Sequence, residues 1–295
     1  MTWTDAPWRD RSGEVSPLRI VTLVCLVAPA LWVGAAWALG ILGAEPFKAA
    51  IAHSGAWASY FLLLSLLVTP ARQILRWARL ATIRRMVGLG ALAYAAMHLA
   101  IYTADHRFDL AKVASEITLR FYLTVGLVAL LGLFALGATS TDGAVKRLGG
   151  KAWRNLHRLA YPIAALALFH ALLQTRLDAS DEVTMIGLLL WLLGYRLVAP
   201  SGGAPGIPVL LALAAGTALA TAGVEAGWYM AKRGVDPLLV LEANLDVAFG
   251  LRPALVVGLI ALVPPVLRAL PTERVFGDRQ RRRRPRPAAT TPAAA

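Results

Sequence analysis

Apolar stretches close to 20 residues long recur along the chain, and most charged residues fall in the segments between them. A bilayer core about 30 Å thick takes about 20 helical residues to cross, so each stretch predicts a membrane helix. The pattern places eight, at about 18–42, 51–69, 86–103, 119–138, 157–175, 183–199, 207–229 and 250–269. The predicted fold class is therefore all-α, a polytopic transmembrane helical bundle. The first stretch follows basic residues as a signal peptide would, yet it is longer than a signal's apolar core, so a retained anchor is expected. The longest polar segments are residues 1–17 and a tail, 271–295, containing "RRRRPRPAATTPAAA", whose composition cannot form a packed core and predicts disorder. The stretch "SGGAPG" at 201–206 lacks the Lys and Ser/Thr of a phosphate loop and reads as a linker.

Composition excludes a soluble protein: 58% of the 295 residues are hydrophobic and the mean hydropathy is +0.60. The net charge of +13 could suggest nucleic acid. Its placement argues against that, because the basic residues alternate between loops as membrane topology requires. Arg72, Arg76, Arg79, Arg84 and Arg85 precede the third stretch, Lys146, Arg147, Lys151 and Arg154 precede the fifth, and the tail holds Arg281 to Arg284. The alternate loops are poorer in cations and mixed in sign, which predicts that both termini are cytoplasmic. A single Cys25 excludes an intrachain disulfide and cysteine-held metal clusters. The tail's simplest role is attraction to anionic headgroups.

Two histidines interrupt the apolar run "WRNLHRLAYPIAALALFHALL", residues 153–173. Intramembrane ionisable groups are costly and mark function by default. At 1.5 Å per residue His157 and His170 lie about 20 Å apart, so one prosthetic group cannot bind both. The third helix runs outward in the same direction, which brings His98 to the depth of His170. Two neutral imidazoles at one depth on separate helices suit the axial positions of a haem iron. Gly88, Gly90, Ala91, Ala93, Ala95, Ala96, Ala164, Ala165 and Ala167 could open a slot for the macrocycle, although close helix packing accounts for them without one. Pro162 between the two histidines predicts a kink, so their angular relation around one helix cannot be read from spacing. His157, near the cytoplasmic face, has no histidine opposite it. It is open to a second haem with water, Met86 or nothing as partner, to a flavin or quinol contact, or to an interfacial role. On the outer side Arg107, Arg120 and Arg176, with Tyr102 and Tyr122 as donors, are candidates for haem propionates; interfacial anchoring explains each equally well.

The blocks "LGAEPFKAAIAHSGAWASYFLLLSLLVTP", "RRMVGLGALAYAAMHLAIY", "EITLRFYLTVGLVALLGLFALGATST" and "KRLGGKAWRNLHRLAYPIAALALFHALL" resemble, in this order, the MsrQ (YedZ) family, bacterial relatives of the ferric reductase and NADPH oxidase transmembrane domain. The resemblance covers roughly 18–200. It implies a six-helix ferric reductase-like core in the bacterial inner membrane that binds haem b through histidines falling at His98, His157 and His170. It further implies electrons drawn from the quinone pool, an association with FMN, and delivery to a periplasmic molybdenum-containing methionine sulfoxide reductase, MsrP. The chain would then be an electron-transfer subunit rather than the catalytic one. Two extra helices within 201–270 and the basic tail have no counterpart in it. A self-sufficient ferric reductase or NADPH oxidase would need a nucleotide fingerprint that is not visible. A transporter would need central carboxylates, and the second to sixth stretches have none.

Overall fold

The computed structural model describes residues 6–9, 13–199, 203–248 and 250–270. The arginine-rich tail, and parts of the 1–17 segment and the 201–206 linker, lie outside the described residues. Among the described residues the chain forms twelve α-helices: α1 Pro17–Ala38, α2 Pro46–Ile74, α3 Arg84–Asp105, α4 Leu110–Leu119, α5 Phe121–Ala138, α6 Asp142–Leu148, α7 Gly150–His157, α8 Ala160–Gln174, α9 Ser180–Val198, α10 Ile207–Arg233, α11 Pro237–Ala243 and α12 Pro253–Ala269. Each predicted membrane stretch contains one long helix. The short α4, α6, α7 and α11 were not expected, because a helix of seven to ten residues leaves too little periodicity to read.

Among the described residues six segments are long and apolar enough to cross a membrane: α1, α2, α3, α5, Gly150–Gln174 taken as one span, and α10. Of the two remaining long helices, α9 carries Asp181, Glu182 and Arg196 within 19 residues, and α12 has 17 residues. The fifth predicted helix is divided. His157 closes α7, and α8 begins after a turn at Arg158–Leu159. Pro162 explains the break: it has no N–H for the Arg158 carbonyl four residues back, and its ring crowds that carbonyl. His157 and His170 therefore stand on two helices, not one.

Helix α2 packs along α3, α5 packs on α3 and α8, and α8 returns to α2 and α9, so α2, α3, α5 and α8 surround a common interior. Val87, Ala91, Ala164 and Leu168 are among its most buried residues. A Cβ on Gly90 would come within 2.5 Å of Leu26, so this glycine serves the α1–α3 crossing rather than a cofactor slot. At the same crossing the Tyr94 hydroxyl accepts from the Ala30 N–H and donates to the Leu26 carbonyl, both at 2.8 Å. It is wedged into the i→i−4 ladder of α1 next to Pro29.

Beyond the core, α10 and α12 pack on each other and on α9. Glu225 of α10, 1% exposed, pairs with Arg252 at 2.7 Å and accepts from Asn244 Nδ2 at 2.8 Å. One buried carboxylate thus ties α10 to the residues that follow α11 and precede α12.

Candidate functional site

His98 projects from α3 and His170 from α8. Each is held by a backbone carbonyl of the helix beside it. His98 Nδ1 lies 2.9 Å from the Ile51 oxygen on α2, and His170 Nδ1 lies 2.7 Å from the Tyr122 oxygen on α5. A carbonyl only accepts, so both Nδ1 atoms carry the proton and donate it, and both Nε2 atoms keep a free lone pair. This is the outer-shell arrangement that orients a metal-ligating imidazole.

The two ring centroids are 6.3 Å apart with planes at 87°. A metal–imidazole bond is about 2 Å and the ring centre lies about 1 Å behind its nitrogen, so two imidazoles sharing one ion on opposite sides need centroids about 6 Å apart. The observed spacing fits. Room for the rings comes from two glycines on the supporting helices. A Cβ on Gly55 would sit 3.0 Å from His98 Nδ1, and one on Gly126 would sit 2.8 Å from His170 Nδ1. These two positions, on α2 and α5, are the ones that accommodate the imidazoles. The sequence held no signal for them, since each depends on which helix lies alongside.

His157 belongs to a separate place. A cavity of 1510 Å³ opens between α2, α3, α5, α7 and α8, bordered by His157, Trp153, Ser140, Arg72, Arg84 and Arg196 among others. His157 stacks on Trp153 at 3.9 Å and donates from Nδ1 to the Trp153 carbonyl at 3.1 Å. Ser140 lies 3.3 Å from Nε2, but its single proton goes to the Leu136 carbonyl at 2.7 Å. The Leu136 carbonyl also faces the His157 ring, so both ring nitrogens of His157 lie against polar atoms, unlike Nε2 of His98 and His170. Arg196 is fixed by the Leu66 carbonyl at 2.7 Å and the Leu192 carbonyl at 2.9 Å, so the cavity holds built-in positive charge suited to an anionic group.

The candidate propionate partners divide. Arg120 is engaged by Glu116 at 2.6 Å and donates to the Tyr122 hydroxyl at 3.1 Å; that bond, with the charge of Glu116, holds its guanidinium further toward the protonated form. Tyr102 packs on His106 at 4.5 Å. Arg107 ends α3 in a left-handed conformation together with Phe108. Arg176 shares a small cleft with Tyr122. Among the described residues no cluster of three or more His, Cys, Asp or Glu could hold a metal by itself.

Residues 54–168 match the ferric reductase like transmembrane component family. The chain is 44% identical over 191 residues to the protein-methionine-sulfoxide reductase heme-binding subunit MsrQ of Rhodospirillum rubrum, covering 64% of this chain and 89% of that relative. The MsrQ protein of Azospira oryzae is 37% identical over 200 residues, 67% of this chain and 84% of its own, and that of Caulobacter vibrioides 38% over 177 residues, 58% and 84%. The chain belongs to the MsrQ family. No solved structure matches it. The span of the ferric reductase match includes His98 and His157 and stops two residues before His170, while α10 to α12 lie outside it. The MsrQ resemblance read from the sequence is thus confirmed at the level of family and helical fold.

Proposed function

We propose that the chain is the haem b-binding, electron-transferring membrane subunit of a methionine sulfoxide reductase system, with His98 and His170 as axial ligands. The observation that carries this reading is the pair of Nδ1-anchored imidazoles whose ring centres stand 6.3 Å apart. It is supported by relatives whose names describe a heme-binding subunit of protein-methionine-sulfoxide reductase. Bound haem would supply a one-electron carrier within the bilayer. The chain's own residues do the rest. Ile51 and Tyr122 fix tautomer and orientation, Gly55 and Gly126 leave the rings their space, and the apolar helices keep water away.

In this reading the inner cavity is where electrons enter. His157 and the arginines around it receive an anionic redox group, a second haem or FMN, or the head of a quinol from the membrane pool. The outer face delivers electrons to a periplasmic molybdenum-containing reductase of the MsrP type. The termini are cytoplasmic, the membrane is the bacterial inner membrane, and residues 18–200 form the haem-binding core with 201–270 as an added helical unit.

Haem quantitation and reduced-minus-oxidised spectra on His98→Ala, His157→Ala and His170→Ala test this. The first and third are expected to lose the bis-imidazole signal. His157→Ala is expected to keep that signal and to slow reduction by quinol. Full haem content and unchanged spectra in both His98→Ala and His170→Ala would refute the assignment.

A further inference from the structure

A second, smaller cleft of 290 Å³ lies against the residue that holds His170. Tyr122, Leu173, Gln174, Thr175, Arg176, Lys232 and Arg233 border it. Tyr122 is the carbonyl partner of His170, so the cleft shares one residue with the support of that imidazole. Three cations line it from two elements distant in sequence. Arg176 follows α8, and Lys232 and Arg233 occupy the last turn of α10. Gly234, in the left-handed conformation, stops α10 there: its N–H bonds the Met230 carbonyl and the Val235 N–H bonds the Tyr229 carbonyl.

The charge is not neutralised locally. All three side chains are exposed, and among the described residues none of them has an ion pair or hydrogen bond. The carboxylates of the neighbouring turns are engaged by other groups, and Glu182 is the one that reaches the cleft lining, through Thr175. Asp178 accepts from the Ser180 hydroxyl and N–H, Asp236 from the Leu238 N–H, Asp246 from the Ala248 N–H, and Glu225 is buried against Arg252. Two of the three cations are supplied by α10, and all three lie outside the segment matched to the ferric reductase family. Their position depends on α10 being packed against α9 and α12.

We propose that this cleft is the docking point for an acidic surface of the soluble electron acceptor, and that α10 supplies the decisive charges. The inference rests on the electron-transfer reading above. A cationic cleft that shares Tyr122 with the support of the proposed haem ligand His170 draws an acidic partner to that end of the bundle, and such steering is strong at low salt and fades as salt rises.

The test uses the full chain in nanodiscs of zwitterionic lipid, with binding of the purified methionine sulfoxide reductase catalytic subunit followed against ionic strength. Lys232→Glu/Arg233→Glu is compared with the wild type, and Lys232→Gln/Arg233→Gln controls for misfolding. Charge reversal is expected to weaken binding about tenfold or more at low salt, to flatten the salt dependence, and to leave haem content and spectrum unchanged. Neutralisation should fall between. Binding and salt dependence unchanged by reversal, with His98 and His170 still required for haem, would overturn the docking site and leave the electron-transfer reading standing. Loss of haem on reversal would assign the cations to the prosthetic group's own carboxylates instead. Loss of co-purifying anionic lipid with unchanged partner binding would make the cleft a headgroup site. Each of these last two outcomes also refutes docking.

Discussion

Each central imidazole owes its tautomer and orientation to a carbonyl one helix away, and its position to a missing methyl on that same helix. The two requirements make opposite demands on substitution. Alanine at Gly55 or Gly126 favours the helix by up to about 1 kcal/mol, yet its Cβ would stand 3.0 Å from His98 or 2.8 Å from His170. Displacing a packed ring costs about 1–3 kcal/mol. We therefore expect Gly55→Ala and Gly126→Ala to fold with unchanged or slightly lower stability while binding haem about tenfold more weakly, read by haem titration beside thermal unfolding. Equal haem affinity would show that the rings can shift without cost. The histidines were legible in the sequence because an ionisable side chain in an apolar run is conspicuous. Their supports were not, because Ile51 and Tyr122 act through backbone atoms that every residue possesses.

At the scale of elements, the apolar runs gave the long helices to within a few residues, and Pro162 announced the interruption that separates His157 from His170. Hydropathy could not reveal that the interruption would detach a whole short helix, nor that the extension is fastened by an internal ion pair. Glu225 is 1% exposed and its partner Arg252 31%, so removing either leaves a charge poorly solvated. Breaking such a pair typically costs about 3–5 kcal/mol, whereas replacing both members by apolar residues can be nearly neutral. Glu225→Ala is expected to destabilise the α10–α12 unit by about 3 kcal/mol in denaturation from mixed micelles. Glu225→Leu combined with Arg252→Met should recover most of that loss. An additive double variant would mean the two side chains do not stabilise the unit through each other.

For the whole molecule, the proposed orientation rests on the loop charges, and under it the large arginine-lined cavity faces inward and the small cationic cleft outward. Fusions at the C-terminus should accordingly give fluorescent green fluorescent protein and inactive alkaline phosphatase, and an insertion after Asp109 the reverse. Fluorescence lost at the C-terminus would invert every assignment of inner and outer face. The Tyr94 wedge adds a consequence for the first helix. Proteolytic removal of α1 would take away both groups that satisfy this hydroxyl and uncover the side of α3 that Leu26 covers at Gly90. A phenol stranded without a partner in hydrocarbon is expensive, so α1 acts as a structural clamp on α3.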